Sequence, residues 1–370
     1  MRAVSVASSL NSVTAHGIGL PQLGWDNSWR ELAAEYADQG IPGRVARVDR
    51  GLCTVLTATG VVRASWGAAL LDSVALDPLL APCTGDWAVV RRWPDGPVTV
   101  ETVLARRSAV VRAEAARTSV GQVLAANVDV VALVVALHPE PNLGRIERLL
   151  TLAWQSGARP MVALTKTDLV ADADLIADDV RTAAPEVTVV CCSTVTGQGL
   201  DVVRRAIGPN GTVALLGASG HGKSSLTNAL VGADVLTVRT IRDDGKGRHT
   251  SVRRELIPLP GGGAVIDTPG LRGVGLHDAD DGLTATFPDI AALASGCHFT
   301  DCTHQHEPGC GVRAAVEAGE LGARRLSSWA KLQREALWIA ARSDARLRAQ
   351  QQKLWKQQSK DSRGPRRTRP

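Results

Sequence analysis

A glycine-rich loop between a predicted strand and a predicted helix constrains this chain more than any other feature. The strand TVALL runs into GASGHGKS at residues 217–224, and the helical sequence SLTNALVG follows directly. This is G-x4-G-K-[ST] in the strand–loop–helix context that the motif requires. Backbone N–H groups and the helix N-terminus hold phosphates in such a loop, while the lysine reaches the terminal phosphates and the Ser/Thr hydroxyl binds Mg²⁺. The sequence therefore predicts phosphate contacts from Gly217, Ser219, Gly220, His221, Gly222, Lys223, Ser224 and Ser225.

A second motif supports the phosphate loop. Strand AVID ends in Asp267, which begins the D-x-x-G sequence closed by Gly270. An acid at the end of a neighbouring strand can hold Mg²⁺, and a glycine N–H can sense the γ-phosphate. Between the two motifs lies GKGRHTS, where Thr250 is predicted to close on the metal in the triphosphate state.

The candidate base-reading segment is TKTD at residues 165–168, after the predicted strand MVALT. Asp168 can accept two hydrogen bonds from guanine N1 and N2, which adenine does not offer, and this discrimination is worth about 1–3 kcal/mol. The stem of Lys166 can cover the ring. Thr165 begins the motif, and Ser193 follows the next strand and is predicted to touch the same base. These residues predict GTP with Mg²⁺ as the ligand, although TKTD alone occurs often by chance.

The order of the motifs is unusual. The base motifs precede the phosphate loop, whereas GTPases normally begin with that loop. The same site can form if the ends of an ordinary domain are joined and the chain is opened elsewhere. The segment after D-x-x-G then leads directly into the carboxyl-terminal region.

The alternation of apolar residues divides the chain. Five short runs between turn signals predict an OB-type β-barrel, with a barrel that binds nothing as the alternative. Strands that alternate with helices from Val128 onward predict a doubly wound α/β domain. We therefore expect a multidomain chain with an N-terminal extension (1–40), an OB-type barrel (41–116), a circularly permuted P-loop GTPase domain (117–285), a mostly helical zinc-binding domain (286–358) and a disordered basic tail (359–370).

Three cysteines and three histidines cluster after the predicted α/β domain. Cys297, Cys302, His304 and Cys310 have the spacing C-x4-C-x-H-x5-C. Three thiolates and an imidazole form a closed tetrahedral shell suited to one structural Zn²⁺. His298 and His306 are rival ligands.

The order of these motifs is one of two features that the chain shares with a known family. The other is a set of four segments, GASGHGKSS, GRHTS, DTPGLRGVGL and CHFTDCTHQHEPGC. In both features the chain resembles the ribosome small subunit-dependent GTPase A (RsgA/YjeQ) family, over roughly residues 41–340. The resemblance implies a cytoplasmic GTPase that binds the 30S subunit and its 16S rRNA. It further implies a role in late maturation, with hydrolysis stimulated by the ribosome and coupled to release. The chain departs from the family at His221, where an aliphatic residue is usual, at Thr165, where Asn is commoner, and at Ser251, where a second Thr is usual.

The water-orienting group is the open question of the catalytic site. Leu271 follows D-x-x-G, where many GTPases carry Gln, and leucine cannot orient water. We hypothesise that His249 supplies this group beside Thr250 and Asp267. The alternative is an exposed switch histidine that contacts RNA or solvent.

Charge is concentrated at the end of the chain. Residues 324–370 contain 14 Lys or Arg and three acidic residues, although the whole chain carries only +5. This surplus favours a polyanionic partner. Before it, an apolar helix side is predicted to pack on the zinc domain, formed by Leu326, Trp329, Leu332, Leu337 and Ile339.

Three functional hypotheses follow. The first is a GTPase whose turnover times release from the 30S subunit, and the second is a nucleotide-gated rRNA-binding module whose turnover is incidental. The third is an ATP-dependent or other P-loop protein in which TKTD is accidental. No apolar run is long enough for a membrane helix, and nothing demands more than a monomer.

Overall fold

Three β-sheets and a helical carboxyl-terminal region organise the part of the chain that the structure describes. In this computed structural model those residues are 19–113, 121–236, 254–270, 275–276 and 279–343. The candidate catalytic residues His249 and Thr250, as well as Leu271 and the predicted basic tail, lie outside them.

The described residues form fourteen β-strands and ten α-helices. The strands are β1 Ile41–Asp49, β2 Leu52–Thr57, β3 Gly60–Trp66, β4 Trp87–Arg92, β5 Val98–Val103, β6 Ala109–Ala113, β7 Gly121–Ala126, β8 Val130–Ala136, β9 Arg159–Thr165, β10 Thr188–Cys191, β11 Thr212–Leu216, β12 Glu255–Pro258, β13 Ala264–Asp267 and β14 Gly275–Leu276. The α-helices are α1 Asn27–Ala34, α2 Ala68–Leu76, α3 Leu143–Gln155, α4 Ala173–Ala183, α5 Leu200–Ile207, α6 Lys223–Val231, α7 Asp280–Thr286, α8 Pro288–Ala294, α9 Gly311–Glu317 and α10 Ala323–Ser343. Short 3₁₀ turns cover Leu20–Leu23, Pro78–Leu80 and Thr167–Leu169. None of the helices of the described residues has both the length and the apolarity needed to cross a membrane.

The first sheet is a closed barrel of five strands in the order β1-β2-β3-β5-β4. Neighbouring strands are antiparallel except β3 and β5, which run parallel. Small apolar side chains fill its interior, among them Val45, Val55, Val62, Val90 and Val100. The predicted OB-type barrel is thus confirmed as a closed five-stranded barrel.

The central sheet has the order β10-β9-β8-β11-β13-β12, and only the edge strand β12 runs antiparallel. Every residue of β8 is buried, and alternate residues enter two separate cores on the two faces of the sheet. Helices α3 and α4 pack on one face, and α5 and α6 pack on the other. Burial on both faces explains the continuous apolar run, and the doubly wound α/β fold is confirmed.

The order of strands places the sequence motifs together. Strands β9, β11 and β13 lie in the same sheet with β8 between the first two. Their carboxyl ends carry the segments 165–168, 217–224 and 267–270. Because parallel strands end at the same edge, motifs that are distant in sequence meet there.

The third sheet joins the ends of the permuted domain. Strand β6 pairs with β7 and, on its other side, with β14, in the order β14-β6-β7. The proposed boundary at residue 116 puts β6 in the barrel segment, but this strand hydrogen-bonds to neither β1 nor any other barrel strand. Strand β7 contacts the 3₁₀ turn Pro78–Leu80, β6 contacts α3 and β14 contacts α10, so the sheet lies between the barrel segment, the central domain and the carboxyl-terminal helices.

Helices α7 to α10 form the carboxyl-terminal module. Phe287, Ile290, Val312, Leu321 and Leu332 are buried in its apolar core. After β14 the described residues contain helices and loops without a further strand, so this helical part of the predicted fold is confirmed.

The apolar side predicted for α10 is wrong at one residue, Leu337. Leu332 and Ile339 are buried, and Leu326 and Trp329 pack against the module core, but Leu337 is 51% exposed. Five residues along a helix of 3.6 residues per turn rotate a side chain by roughly 140°. Leu337 consequently lies away from the face formed by Trp329, Leu332 and Ile339.

The barrel is attached to the central domain through a buried arginine. Arg44 of β1 donates to the carbonyl oxygens of Leu23 (2.6 Å), Gly85 (2.7 Å) and Asn127 (2.7 Å) and to Thr212 Oγ1 (3.2 Å). Burial lowers the pKa of Arg44 to about 10, which leaves it charged at neutral pH. One side chain thus links the amino-terminal segment, the barrel and strand β11.

Candidate functional site

The phosphate loop has the backbone that its glycines predict. Gly220 and Gly222 adopt positive φ angles of 82° and 91°. A side chain at Gly217 would collide with the carbonyl group of Val134 in β8. Glycine is therefore required at these positions by conformation or by close approach.

Lys223 lies at the first position of α6 and is buried. Its Nζ donates to the carbonyl oxygens of Gly217 (3.0 Å) and Ala218 (2.9 Å), which folds the side chain back across the loop. Burial lowers the pKa of Lys223, and the nearby carboxylate of Asp267 opposes that shift. The ammonium is thus held where the loop would surround a phosphate. Ser224 and Ser225 follow it in the first turn of α6, and Ser219 lies earlier in the same loop.

Asp267 ends β13 beside this helix start. Its Oδ2 accepts a hydrogen bond from Ser224 Oγ at 3.3 Å, whereas its buried Oδ1 has no partner among the described residues. Burial raises the pKa of Asp267 to about 6, although Lys223 and Ser224 act in the opposite direction. A buried carboxylate oxygen without a donor, next to a hydroxyl, fits one side of a Mg²⁺ coordination sphere.

Gly270 lies directly against the phosphate loop. A Cβ atom at this position would lie 2.7 Å from the backbone nitrogen of Ser219. Thr268 is buried and lies between Asp267 and Gly270 in the sequence. Its Oγ1 donates to the carbonyl oxygen of Leu215 at 2.6 Å. The D-x-x-G segment is therefore fastened to β11, and its glycine comes close enough to the loop to share a phosphate.

The residues predicted to read the base converge from two loops. Asp168 lies in a 3₁₀ turn after β9, and its exposed carboxylate accepts a hydrogen bond from Ser193 Oγ at 2.6 Å. Ser193 is fully buried, and its Oγ also accepts from the backbone nitrogens of Val195 and Thr196, both at 3.2 Å. Lys166 has a left-handed backbone with φ of 60°. Ser193 therefore orients Asp168, a role that the sequence-based prediction of base contact did not include.

Thr165 connects the base loop to the phosphate loop. Its Oγ1 donates to the carbonyl oxygen of His221 at 2.7 Å. The two residues are 56 positions apart, and neither motif alone predicts this contact. The Thr165 hydroxyl thus joins the segment 165–168 to the loop of residues 217–224.

The His221 side chain turns away from the loop opening toward β8. Its Nδ1 lies 3.2 Å from the carbonyl oxygen of Val134 and 3.4 Å from the backbone nitrogen of Ala136. Burial lowers the pKa of His221, so the ring is neutral at physiological pH. Depending on its tautomer, Nδ1 either donates to the Val134 carbonyl or accepts from the Ala136 nitrogen, so it serves one of these two groups of β8 at a time.

The four predicted zinc ligands form a separate cluster. The ligand atoms of Cys297, Cys302, His304 and Cys310 all lie within 4.8 Å of one another. His304 Nδ1 is 3.5 Å from Cys297 Sγ and 3.4 Å from Cys310 Sγ, and those two sulfurs are 3.9 Å apart. A tetrahedral shell with Zn–S bonds of about 2.3 Å needs sulfur–sulfur separations of about 3.8 Å. The donor set therefore fits zinc, and the rivals His298 and His306 lie outside the group.

Local contacts fix the loop that carries these ligands. The Glu307 carboxylate accepts hydrogen bonds from Thr303, Gln305 and His306, and the Thr303 side chain is the largest cause that lowers its pKa. His304 adopts a left-handed backbone with φ of 59°, and its ring lies 5.1 Å from that of Trp329 on α10. The cluster thus joins the helical module through a ligand.

Comparison of the whole sequence with known proteins identifies its relatives. A family model described as RsgA GTPase matches residues 103–277. A Streptomyces coelicolor protein named "Small ribosomal subunit biogenesis GTPase RsgA" is 51% identical over 355 residues, which cover 94% of this chain and 95% of the relative.

Two solved structures are similar to this fold. The crystal structure of YjeQ from Thermotoga maritima has a TM-score of 0.59 and 26% identity, and covers 80% of this chain and 98% of its own. The structure of YloQ, described as a circularly permuted GTPase, has a TM-score of 0.55 and 24% identity over 80% of this chain and 94% of its own, which shows the fold alone. The resemblance predicted from the motifs is confirmed, and the chain belongs to the RsgA GTPase family.

Proposed function

We propose that this chain hydrolyses GTP during small ribosomal subunit biogenesis, binds the 30S subunit and is released on hydrolysis. The chemical part of this proposal rests on the buried carboxylate of Asp267. Its Oδ2 accepts from Ser224, and its Oδ1 has no partner among the described residues. The names of the relatives carry the biological part, because the Streptomyces coelicolor protein is named for small ribosomal subunit biogenesis.

In the proposed complex, the phosphates of GTP lie on the loop of residues 217–224, with Lys223 against the terminal groups. Ser224 and Asp267 hold Mg²⁺, directly or through water, and Thr250 joins them in the triphosphate state. Bound Mg²⁺ supplies charge neutralisation at the β- and γ-phosphates. Asp267 would then be ionised, because the bound cation stabilises the carboxylate charge that burial disfavours.

Guanine selection rests on Asp168. Its carboxylate accepts two N–H bonds from guanine, and the hydrogen bond from Ser193 fixes its orientation before the base arrives. Lys166 covers the ring with its stem, and Thr165 sets the distance between the base loop and the phosphate loop through His221. An adenine ring offers an acceptor at N1, so its contact with Asp168 is repulsive.

Water activation is assigned to the switch segment. Leu271 offers no polar atom after D-x-x-G, and we propose that His249 orients the attacking water when the ribosome is bound. Intrinsic turnover is then slow, and the bound subunit supplies the stimulation. A chain that binds GTP and RNA with incidental turnover is the competing function, and Leu271 is the observation that favours it.

The remaining assignments concern ions, partners and location. One Zn²⁺ on the cluster of three cysteines and His304 has a structural role, since four protein ligands leave no open position. The basic end of the chain supplies salt-dependent contacts to 16S rRNA. We propose a monomer that acts in the cytoplasm, where the small subunit matures.

Steady-state turnover of GTP and ATP, with and without purified 30S subunits, tests this proposal. We expect GTP turnover to rise at least about tenfold with 30S subunits while ATP turnover stays at background. Preference for ATP would contradict the role of Asp168. Tight GTP binding without any effect of 30S subunits would favour the competing function.

A further inference from the structure

Helix α3 contains a carboxylate that no step at the nucleotide site uses. Glu147 is fully buried, with none of its surface exposed. Its two oxygens accept hydrogen bonds from Arg324, at 3.0 Å each, and Oε1 also accepts from Arg325 at 3.0 Å. Both arginines belong to α10 of the carboxyl-terminal module, so this ion pair crosses between two modules.

Arg325 extends the connection to further elements. Its guanidinium binds the carboxylate of Asp289 in α8 and donates to the carbonyl oxygens of Ala183, at the end of α4, and Thr286, at the end of α7. The side chain is only 7% exposed, and its charged group lies 4.7 Å above the Phe287 ring. A single residue therefore fixes α3, α4, α7 and α8 relative to α10.

A second ion pair lies along the same two helices. Arg148 of α3 donates to both oxygens of Glu335 in α10, at 2.6 Å each. Gly144 of α3 faces α10 as well, since a Cβ atom there would lie 3.6 Å from Ser328 Oγ. The two helices are thus in contact from the first turn of α3 onward.

The amino-terminal end of α3 also lies near the nucleotide site. The helix follows β8, whose last residue, Ala136, contacts the His221 ring of the phosphate loop. Arg145, in its first turn, is close enough to add to the lowering of the Lys223 pKa, for which burial is the larger cause. Helix α3 packs on β8 and β9, the strands whose carboxyl ends lie beside the phosphate loop and the segment 165–168. The same helix contacts the zinc-binding module along its length, so it lies between the two sites.

We propose that Glu147 and Arg325 are positioning residues for hydrolysis. Their buried ion pair makes α3 and α10 one rigid unit, so that 30S binding at the basic end of the chain, which α10 begins, acts on the phosphate loop. This inference rests on the proposed function, because it requires turnover that a partner stimulates. Apolar residues could stabilise the same contact equally well, and what a buried ion pair adds is a single fixed register. The connection supplements the covalent link through residues 271–278.

The test separates intrinsic from stimulated turnover in Glu147→Gln, which keeps the size of the side chain and removes its charge. We expect the GTP Kd and the intrinsic kcat to stay within about twofold of the wild type, and the 30S-stimulated kcat to fall at least about tenfold. Glu317→Gln is the matched control, because its pair with Arg313 is exposed and lies within α9. The control should behave as the wild type.

Arg148→Gln provides a second variant if Glu147→Gln does not fold, because its pair with Glu335 is partly exposed. Here we expect about a threefold loss of stimulation with unchanged intrinsic turnover. Two results in a folded Glu147→Gln chain would overturn this inference but leave the proposed function intact. One is a stimulated kcat at the wild-type level, and the other is an equal proportional loss of the intrinsic and the stimulated kcat. Where Glu147→Gln does not fold, full stimulation in Arg148→Gln has the same meaning. A wild type without stimulation would contradict the proposed function and this inference together.

Discussion

The two candidate metal sites of this chain differ in how they are built. The zinc cluster takes four ligands from 14 consecutive residues and closes a shell around the ion position. The magnesium site takes Ser224 and Asp267 from two elements of the central domain and leaves one buried carboxylate oxygen without a partner among the described residues. A closed shell suits an ion that belongs to the fold, and a partial shell suits an ion that arrives with the nucleotide.

Burial of acidic groups shows the same contrast within the central domain. Glu147 is as buried as Asp267, but two arginines saturate its oxygens. Asp267 receives one hydroxyl, and its pKa is raised to about 6 by burial. A paired buried carboxylate is part of the architecture, whereas an incompletely paired one marks the place of a ligand.

We call the zinc cluster the closed site, and the nucleotide site with its magnesium ligands the open site. The largest effect is expected at the closed site. Cys310→Ser removes a ligand that is buried and also caps α9, where its sulfur accepts from the backbone nitrogen of Arg313. We expect loss of the bound zinc and of the folded module, at a cost of several kcal/mol or more. Metal analysis and thermal unfolding measure both, and Cys191→Ser, which lies outside the cluster, is the control. Stoichiometric zinc in Cys310→Ser would refute the assigned shell.

Lys223→Ala sharpens the contrast at the open site. The ammonium that folds back over the loop carbonyls should transfer to the phosphates, so its loss should weaken GTP binding about 100-fold or more. Zinc content should not change, because the two sites share no residue. Titration with a fluorescent GTP analogue measures affinity, with the exposed Lys331→Ala as control. An affinity within threefold of the wild type would show that Lys223 does not bind phosphate.

Asp168→Asn tests the base end of the open site. The amide replaces an acceptor with a donor, which costs about 1–3 kcal/mol of GTP affinity and should favour xanthosine triphosphate, whose C2 oxygen accepts. Competition binding with the two nucleotides measures the change, and Asp172→Asn in the same exposed region is the control. Unaltered preference for GTP would exclude Asp168 as the reader of the base.

The smallest effect concerns pH. The folded pKa of Asp267, about 6, lies above the value of 3.8 for an unperturbed aspartate. The folded nucleotide-free chain thus holds its proton more tightly than the unfolded chain, so this group adds stability below about pH 4 that is lost as the pH rises through 6. Unfolding temperatures between pH 4.5 and 7.5 measure this, and the wild type should lose stability relative to Asp267→Asn over that range. Parallel curves for the two proteins would contradict the raised pKa.

The sequence predicted the closed site more fully than the open one. All zinc ligands lie in one segment, so their spacing was informative, and the motif glycines likewise specified the phosphate loop. The Thr165–His221 and Glu147–Arg325 contacts join residues 56 and 178 positions apart. Such contacts depend on strand order and helix packing, and no local pattern encodes them. Leu337 shows that a local pattern can also mislead. Its apolar character predicts a place on the buried face of α10, but its position in the helical turn puts it on another side.

The most direct test of the contrast measures both metals on one sample of the intact chain by native mass spectrometry. The account predicts one zinc per chain that survives passage through metal-free buffer, and magnesium that appears only when GTP is added. Zinc that exchanges freely while the module stays folded, or magnesium bound equally with and without GTP, would contradict it.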